Sequence, residues 1–306
     1  RSEDKSPLHG KGGEITMVMN KKPLRSMSPL QETIYRFSQN KVSLIGLAVV
    51  LLLIFIIIFG EFISPFENGV KQNIRMRLQG PSAEHWFGTD AYGRDIFTRV
   101  LHGTKYTMMI AFPATFIAEV IGIILGACAA FYSRWFDNIL MRVLDVFQAI
   151  PGQLLALAVV AALGGSLFNL VIAMLIARIP ASVRTARSIM LSLVGQEYID
   201  AARSYGSRDY HLIFRHVIPN SLGAMIVSMT INLSAITLQV SSMSYIGLGV
   251  SPPTPEWGAL LSEAREFIIT APHLIIFPGI AILLTALSFN LVGDGLRDAL
   301  DPRLRD

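Results

Sequence analysis

Two charged residues lie within long uncharged stretches of this sequence. Glu119 is the single charge between Lys105 and Arg134, and Arg178 follows an uncharged interval that begins at Val146. A charge inside an apolar membrane helix is costly, and such residues usually serve binding or transport. We therefore expect the two side chains either to approach each other or to face a polar path. The alternative is that Arg178 extends toward the membrane surface while Glu119 hydrogen-bonds to a neighbouring helix.

A second set of polar groups forms a stripe on the apolar stretch that follows residue 219. Its members recur at about heptad spacing, and they are Ser221, Ser228, Asn232, Gln239 and Ser242. Such a stripe either lines an aqueous path or hydrogen-bonds to a neighbouring helix. The last four of these residues join Glu119 and Arg178 as candidate pathway residues.

The remaining reactive side chains do not form a recognisable catalytic or metal site. The single cysteine, Cys128, excludes an intrachain disulfide framework and a multi-cysteine metal site. His85, His102 and His273 are scattered and lack clustered carboxylates at ligand spacing, so we expect no bound metal. Neither a Ser/His/Asp arrangement nor a phosphate-binding loop is evident. The sequence therefore predicts a protein that is not an enzyme and holds no cofactor of its own.

The composition indicates a membrane protein. Of the 306 residues, 52% are hydrophobic and 16% are charged, whereas about 25% of the residues in soluble domains are charged. Uncharged intervals long enough to cross a hydrocarbon core of about 30 Å predict six spans. They cover residues 42–60, about 106–131, a helical hairpin over 146–187 that turns at 164–166, about 220–248 and about 273–292. The expected fold class is an all-α polytopic membrane protein with six transmembrane helices.

The positions of the basic residues orient these spans. With six spans both termini lie on one side, and that side carries 19 of the 26 Lys and Arg residues, whereas the other carries seven. Cytoplasmic loops hold the excess of positive charge in membrane proteins. Both termini are therefore expected in the cytoplasm, and the segments 61–105 and 249–272 outside it. The net charge of +4 then belongs to the inner face and does not indicate nucleic-acid binding.

The cytoplasmic loop between spans four and five has a regular pattern. Helical spacing relates Tyr198, Ala201, Ala202 and Tyr205, and it relates positions 210, 213, 214 and 217 in the same way. We expect two short amphipathic helices, with Gly206 left-handed after the first and Ser207 capping the second. Pro219 ends the second helix or starts span five. A pair of helices lying on the membrane surface would show the same pattern.

Residue identities in this loop favour a more specific interpretation. Asp200-Ala201-Ala202, then Gly206, then Ile218-Pro219 resembles the EAA loop of ABC importer permeases, which forms the coupling helices that dock into the ATPase subunits. Asp200 replaces the usual Glu, Ile218 the usual Leu, and His216 a residue that is often Ile. The resemblance implies an ATPase-docking loop over 197–219, with these candidate residues: Glu197, Asp200, Ala201, Ala202, Arg203, Gly206, Arg208, Arg215 and Pro219.

Three further segments narrow the resemblance. Residues 85–99, which begin His85-Trp86-Phe87-Gly88, are similar to the C-type subunit of dipeptide, oligopeptide and nickel permeases. Residues 247–258 and 289–303 are similar to the same subunit. The four motifs occur in the right order and extend the resemblance from about residue 28 to residue 303. They imply the type I ABC importer permease fold.

The resemblance also implies partners. A chain of this type forms half of a translocation pathway in the lipid bilayer with a homologous second permease subunit. Two ATPase subunits carry the ATP and Mg, and an extracytoplasmic solute-binding protein delivers the substrate. The implied substrate is a di- or oligopeptide, whose charged ends would match Glu119 and Arg178. Nickel or another small solute in the same family, or an ion-coupled secondary transporter of a different class, is the alternative.

These expectations define the organisation of the chain in a prokaryotic cytoplasmic membrane. The predicted parts are a cytoplasmic N-terminal segment (1–41), a first anchor helix (42–60), an extracytoplasmic segment (61–105), a core of five helices (106–292) that includes the coupling loop 188–219, and a cytoplasmic tail (293–306).

Overall fold

The computed structural model describes residues 28–132 and 134–300, which are mostly α-helical. The α-helices of this part of the chain are α1 (Pro29–Gln39), α2 (Lys41–Ile63), α3 (Phe66–Val70), α4 (Ile96–Phe131), α5 (Arg134–Gln148), α6 (Gly152–Leu163), α7 (Leu167–Val194), α8 (Glu197–Ser204), α9 (Asp209–Leu212), α10 (Ile218–Met243), α11 (Trp257–Ala264) and α12 (His273–Leu300). Two π-helical segments, Ile213–Val217 and Ser244–Leu248, flank α10. Residues 1–27 of the predicted N-terminal segment and the last six residues of the predicted tail lie outside the described residues.

Within the part of the chain that the structure describes, five helical stretches are long and apolar enough to cross a membrane. Their bounds are Lys41–Ile63, Ile96–Phe131, Leu167–Val194, Asp209–Leu248 and His273–Leu300. A sixth span is present if α5 and α6 count as one broken span, since these two helices are bent by 74° at a short break. The prediction of an all-α polytopic membrane protein is confirmed.

Two helices begin at side-chain caps that the span analysis did not use. The Asn40 side chain accepts hydrogen bonds from the amides of Val42 and Ser43 at 3.1 and 3.2 Å, so α2 begins at Lys41. The Asp95 carboxylate accepts one from the Thr98 amide at 2.8 Å, so α4 begins at Ile96. The expected start near residue 106 is therefore wrong for this helix. A charge-free interval marks the apolar part of a helix and not its end.

The predicted N-terminal segment contains a helix that hydropathy did not reveal. The Ser28 hydroxyl accepts from the Gln31 amide, and the Gln31 side chain accepts from the Ser28 amide, which forms a capping box at the start of α1. The Ser-x-x-Gln pattern is a sequence signal for such a start. Leu30 and Ile34 are exposed on α1, while Phe37 comes close to Gly295 of α12.

The predicted hairpin is correct in its turn and wrong in its first arm. Gly164 has a positive φ of 88°, and the Ser166 hydroxyl caps α7 by accepting from the Asn169 amide. The first arm is not one helix, because α5 ends at Gln148 and α6 starts after Pro151. Proline lacks an amide hydrogen and disfavours helical backbone at the preceding residue, which explains a break there.

Ion pairs hold α5 against α7. The Arg187 guanidinium contacts the Asp137 carboxylate at 2.5 Å, and Arg184 pairs with Asp145. These contacts place α5 along α7. Arg134 and Arg142, predicted to lie in a loop, belong to α5.

A close and extensive helix contact joins α4 to α7. A Cβ atom added to Gly122 would lie 2.9 Å from Ser182, and one added to Gly126 would lie 2.7 Å from the Ala186 Cβ. Small residues four apart allow two helix backbones to approach closely. Gly122 meets Ser182, and Gly126, one turn later, meets Ala186. Because the residue number increases in the same direction along both helices, the two helices run parallel.

A buried ion cluster joins the two segments expected outside. The Arg99 guanidinium contacts Asp90 at 2.5 Å and Glu263 at 2.8 Å, and the Arg94 guanidinium contacts the same two acids. Nearby, burial raises the pKa of the Glu256 carboxyl, although four hydrogen bonds, including one from Thr107, favour its charged form. These contacts fasten the segment after α10 to the start of α4.

The close α4–α7 contact predicts that replacing a glycine in it by alanine destabilises the protein, whereas the same replacement at a glycine with free space around it does not. Gly126→Ala places a Cβ 2.7 Å from the Arg187 backbone nitrogen and should destabilise the protein by about 1–3 kcal/mol, the usual cost of overpacking. Gly279→Ala is the matched control because a Cβ there meets no atom within 4 Å. Alanine at a helix interior is favoured over glycine by about 0.5–1 kcal/mol.

Thermal unfolding of the detergent-purified protein measures both variants. We expect a lower Tm for Gly126→Ala and an unchanged or higher Tm for Gly279→Ala. Equal Tm values for the two variants would contradict the close α4–α7 approach.

Candidate functional site

A turn at Gly206 shapes the loop between α7 and α10. Gly206 has a φ of 81°, its amide donates to the Arg203 carbonyl at 3.0 Å, and the Ser207 amide donates to the Ala202 carbonyl at 3.2 Å. This pair of hydrogen bonds is the Schellman arrangement, which requires a left-handed residue after the helix. The predicted conformation of Gly206 is confirmed. The predicted cap at Ser207 is wrong, because Arg208 occupies the cap position of α9 without a side-chain hydrogen bond.

The second predicted helix of the loop is not separate from span five. It starts as α9, passes through the π-helical segment Ile213–Val217 and continues into α10. Pro219 therefore lies inside a continuous helical run. Because proline cannot donate to the carbonyl four residues earlier, the ladder is interrupted there, and the Ile218 amide bonds five residues back to Ile213. The loop is also shorter than the predicted 188–219, since α7 extends to Val194.

The loop is anchored by a small apolar cluster. Ile199, Ile213 and Val217 are buried against Ala127 of α4 and Met190 of α7. The Arg203 guanidinium stacks over the Phe131 ring at 5.1 Å, which adds a cation–π contact between α8 and the end of α4. The loop is thus fastened to both helices of the α4–α7 pair. Ile199, which the helical-spacing analysis did not single out, is its one fully buried contact from α8.

The face of α8 that periodicity selected is largely exposed, although the Tyr198 hydroxyl accepts a hydrogen bond from Asn220 at 3.3 Å. Tyr198 is 41% exposed and Tyr205 is 92% exposed, while Tyr210 and Phe214 continue an exposed apolar surface beyond the turn. Apart from the half-buried Ala202, the candidate docking residues are exposed as well, namely Glu197, Asp200, Ala201, Arg203, Gly206, Arg208, Arg215 and Pro219. We call these residues, together with Tyr198, Tyr205, Tyr210 and Phe214, the loop surface. Large apolar groups exposed among charges are typical of a protein interaction site.

The α4–α7 contact also positions the two charges expected within the membrane. One turn before Gly122 and Ser182, the parallel helices carry Glu119 and Arg178. Glu119 is close enough to interact electrostatically with Arg178, but the two do not form an ion pair. The two side chains therefore lie near each other, as one alternative predicted, but they form no direct ion pair.

Glu119 instead bonds to α10. The Asn232 side-chain amide donates to Glu119 Oε1 at 2.7 Å and to the Ser228 hydroxyl at 3.1 Å. Glu119 is buried, and its Oε2 makes no hydrogen bond within the described part of the chain. This is the arrangement expected if Glu119 hydrogen-bonds to a neighbouring helix. These hydrogen bonds divide the polar stripe into two parts, because Asn232 binds Glu119 and Ser228 binds Asn232.

The other half of the stripe opens onto a cavity of about 640 Å³ between α7, α10 and the α5–α6 break. Its walls include three of the predicted pathway residues, Arg178, Gln239 and Ser242. They also include Gln148 and Gln153, which lie on either side of the break and which sequence analysis did not select. The sequence could have identified them as candidate pathway residues, because both are polar and lie within the uncharged interval 146–177. The cavity is thus polar at about the middle of α7.

The histidines considered as metal ligands serve structural contacts. His85 pairs with Asp95 at 2.9 Å, His102 bonds to the Ser64 carbonyl at 2.8 Å, and His273 contacts the Thr89 carbonyl. Within residues 28–132 and 134–300, no three His, Cys, Asp or Glu side chains are grouped as a metal site would require.

Comparison with known proteins extends these observations. Residues 120–306 match the model of the binding-protein-dependent transport system inner membrane component, and residues 28–81 match that of the N-terminal TM domain of oligopeptide transport permease C. A dipeptide transport system permease protein of Alkalihalophilus pseudofirmus is 42% identical over 280 residues, 92% of each chain.

Two further relatives are glutathione transport system permease proteins. That of Escherichia coli is 43% identical over 284 residues, 93% of this chain and 94% of the relative. That of Pectobacterium atrosepticum is 43% identical over 290 residues, 94% and 95% of the two chains. The matches confirm the resemblance to C-type subunits. The chain belongs to the inner-membrane permease subunits of binding-protein-dependent ABC importers, which are transporters, not enzymes, and act with ATPase and solute-binding partners.

Proposed function

We propose that this chain imports small peptides by forming half of a translocation pathway with a homologous second permease subunit. The observation that carries the proposal is the polar cavity beside Arg178, which lies at membrane depth and is open on one side. A second subunit at the open side would complete its wall. The names of the relatives, which refer to dipeptide and glutathione transport, support a peptide substrate.

The proposed orientation places both termini and the loop surface in the cytoplasm. The excess of basic residues on that side supports it. The buried ion cluster of Asp90, Arg94, Arg99 and Glu263 then lies outside, where the solute-binding protein arrives. The same orientation puts the loop surface on the side where ATP is available.

A labelling experiment tests this orientation with two positions of equal exposure. Tyr205 is 92% exposed and Ile269 is 91% exposed in the single chain, so each is accessible when the chain is expressed without its partner subunits. In a Cys128→Ser background, a membrane-impermeant maleimide should label the Ile269→Cys variant in intact cells. It should label the Tyr205→Cys variant only after permeabilisation. Labelling of the Tyr205→Cys variant in intact cells would reverse the orientation.

Coupling to ATP hydrolysis is proposed for the loop surface. Two ATPase subunits, which hold ATP and Mg, would bind one loop on each permease subunit. Because the loop is anchored by Ile199, Ile213 and Val217 to α4 and α7, movement of a docked ATPase would move those helices with it. The pathway would then alternate between inward-open and outward-open states.

The left-handed turn provides a test of coupling. A Cβ added at Gly206 meets no atom within 4 Å, so a substitution is strained by its φ of 81° and not by a clash. Gly206→Val should misdirect α8 at a cost of about 1–2 kcal/mol and lower substrate-stimulated ATP hydrolysis by about 5–30-fold. Gly206→Asn is the matched control, because asparagine adopts left-handed backbone more readily.

The measurement is the ATPase rate of the reconstituted complex with and without loaded binding protein. We expect Gly206→Asn to retain stimulation, and both variants to insert into the membrane in normal amounts. Equal stimulation in Gly206→Val and the unsubstituted protein would remove the assignment of the loop surface to coupling.

A further inference from the structure

The cavity beside α7 contains an arginine that forms no ion pair with any of the residues that the structure describes. Arg178 is the only charged residue among the thirteen described residues that line the cavity. Its Nε is buried and makes no hydrogen bond within the described residues. The acid that interacts with it electrostatically, Glu119, bonds to Asn232 through Oε1, makes no hydrogen bond to Arg178 through Oε2 and does not line the cavity. A guanidinium that forms no direct ion pair in a membrane interior is costly unless a partner arrives.

The α5–α6 break adds a second positive feature to the same cavity. Pro151, Gly152 and Gln153 line the cavity and are the cap and first two residues of α6. The first amides of a helix lack intrahelical partners, and this end of the helix carries partial positive charge. Broken membrane helices in other transporters direct such ends at anionic substrate groups. Two independent sources of positive potential therefore converge on one polar space.

We infer that the Arg178 cavity is a carboxylate site for the transported peptide. The guanidinium can donate two parallel hydrogen bonds to a planar carboxylate, and the side-chain amides of Gln148, Gln153 and Gln239 supply further neutral donors. The inference rests on the proposed function and adds that the permease itself, and not only the binding protein, recognises the free carboxyl terminus. A single half-buried arginine suits a pathway, since binding must be weak enough to permit release.

The test compares two peptides that differ in one group. The complete complex is reconstituted in vesicles with its binding protein, and initial uptake is measured for a dipeptide and for the same dipeptide with an amidated carboxyl terminus. Both are supplied at concentrations that saturate the binding protein. The acid-to-amide ratio is the uptake rate of the dipeptide divided by that of its amide. Dividing the ratio of a variant by that of the unsubstituted complex removes the contribution of the binding protein's own preference.

Two variants act on the cavity in different ways. Arg178→Gln removes the guanidinium, and Gln239→Glu adds a carboxylate to the same wall with almost no change of shape. Each should lower the acid-to-amide ratio by about tenfold, equivalent to about 1.4 kcal/mol. Arg297→Gln is the control, because it removes an exposed arginine of α12 that does not line the cavity. Its ratio should not change.

The outcomes separate the inference from the proposed function. An unchanged ratio in Arg178→Gln overturns the carboxylate site, and if that variant does not assemble, an unchanged ratio in Gln239→Glu overturns it instead. Failure of the unsubstituted complex to import either peptide, while its ATPase is active, overturns the peptide function itself. An amidated peptide with a glutamate side chain identifies the carboxylate: if Arg178→Gln also slows its uptake, the site accepts side-chain carboxylates as well as the carboxyl terminus.

Discussion

The close approach of α4 and α7 determines where the candidate groups of this permease lie. Gly122 and Gly126 let the two backbones meet at Ser182 and Ala186, and this contact fixes the register of the parallel helices. One turn toward the N-terminal ends of the two helices, the register puts Glu119 beside Arg178. Toward their C-terminal ends, it brings Ala127 and Met190 together under the loop surface. The contact of two glycines, which have no reactive side chains, therefore positions both the polar cavity and the loop surface.

The break between α5 and α6 shows how a membrane protein tolerates irregular backbone. Polar backbone groups cannot remain unsatisfied against lipid, so a break at membrane depth must face protein or water. Here the break lines the same cavity as Arg178, and the ion pairs of Arg184 and Arg187 hold α5 in place. Most of the polarity of the cavity thus comes from two features, a helix interruption and a single arginine.

The sequence predicted the spans and the Gly206 turn because both depend on local properties. Uncharged length identifies a membrane helix, and a glycine between two helical patterns identifies a left-handed turn. The broken arm could not be found in this way, since no charge interrupts 146–177 and Pro151 alone is compatible with a kinked helix. Periodicity also could not say which face of α8 is buried. It detects an apolar face, which can contact either the chain itself or a partner. On α8 the predicted face leaves Tyr205 exposed, and the buried residue is Ile199, which lies off that face.

The arrangement of α7 explains how an event at the loop can reach the cavity. Twelve residues separate Met190, which packs under the loop, from Arg178, a distance of about 18 Å along a helix. Pro180 lies between them and removes one backbone hydrogen bond from the interior of α7. The part of the helix after Pro180 is fastened to α4 at Gly122 and Gly126, so we expect it to move with the loop as one body. The part before Pro180 carries Arg178, and the missing hydrogen bond makes the proline the place where we expect the angle between the two parts to change.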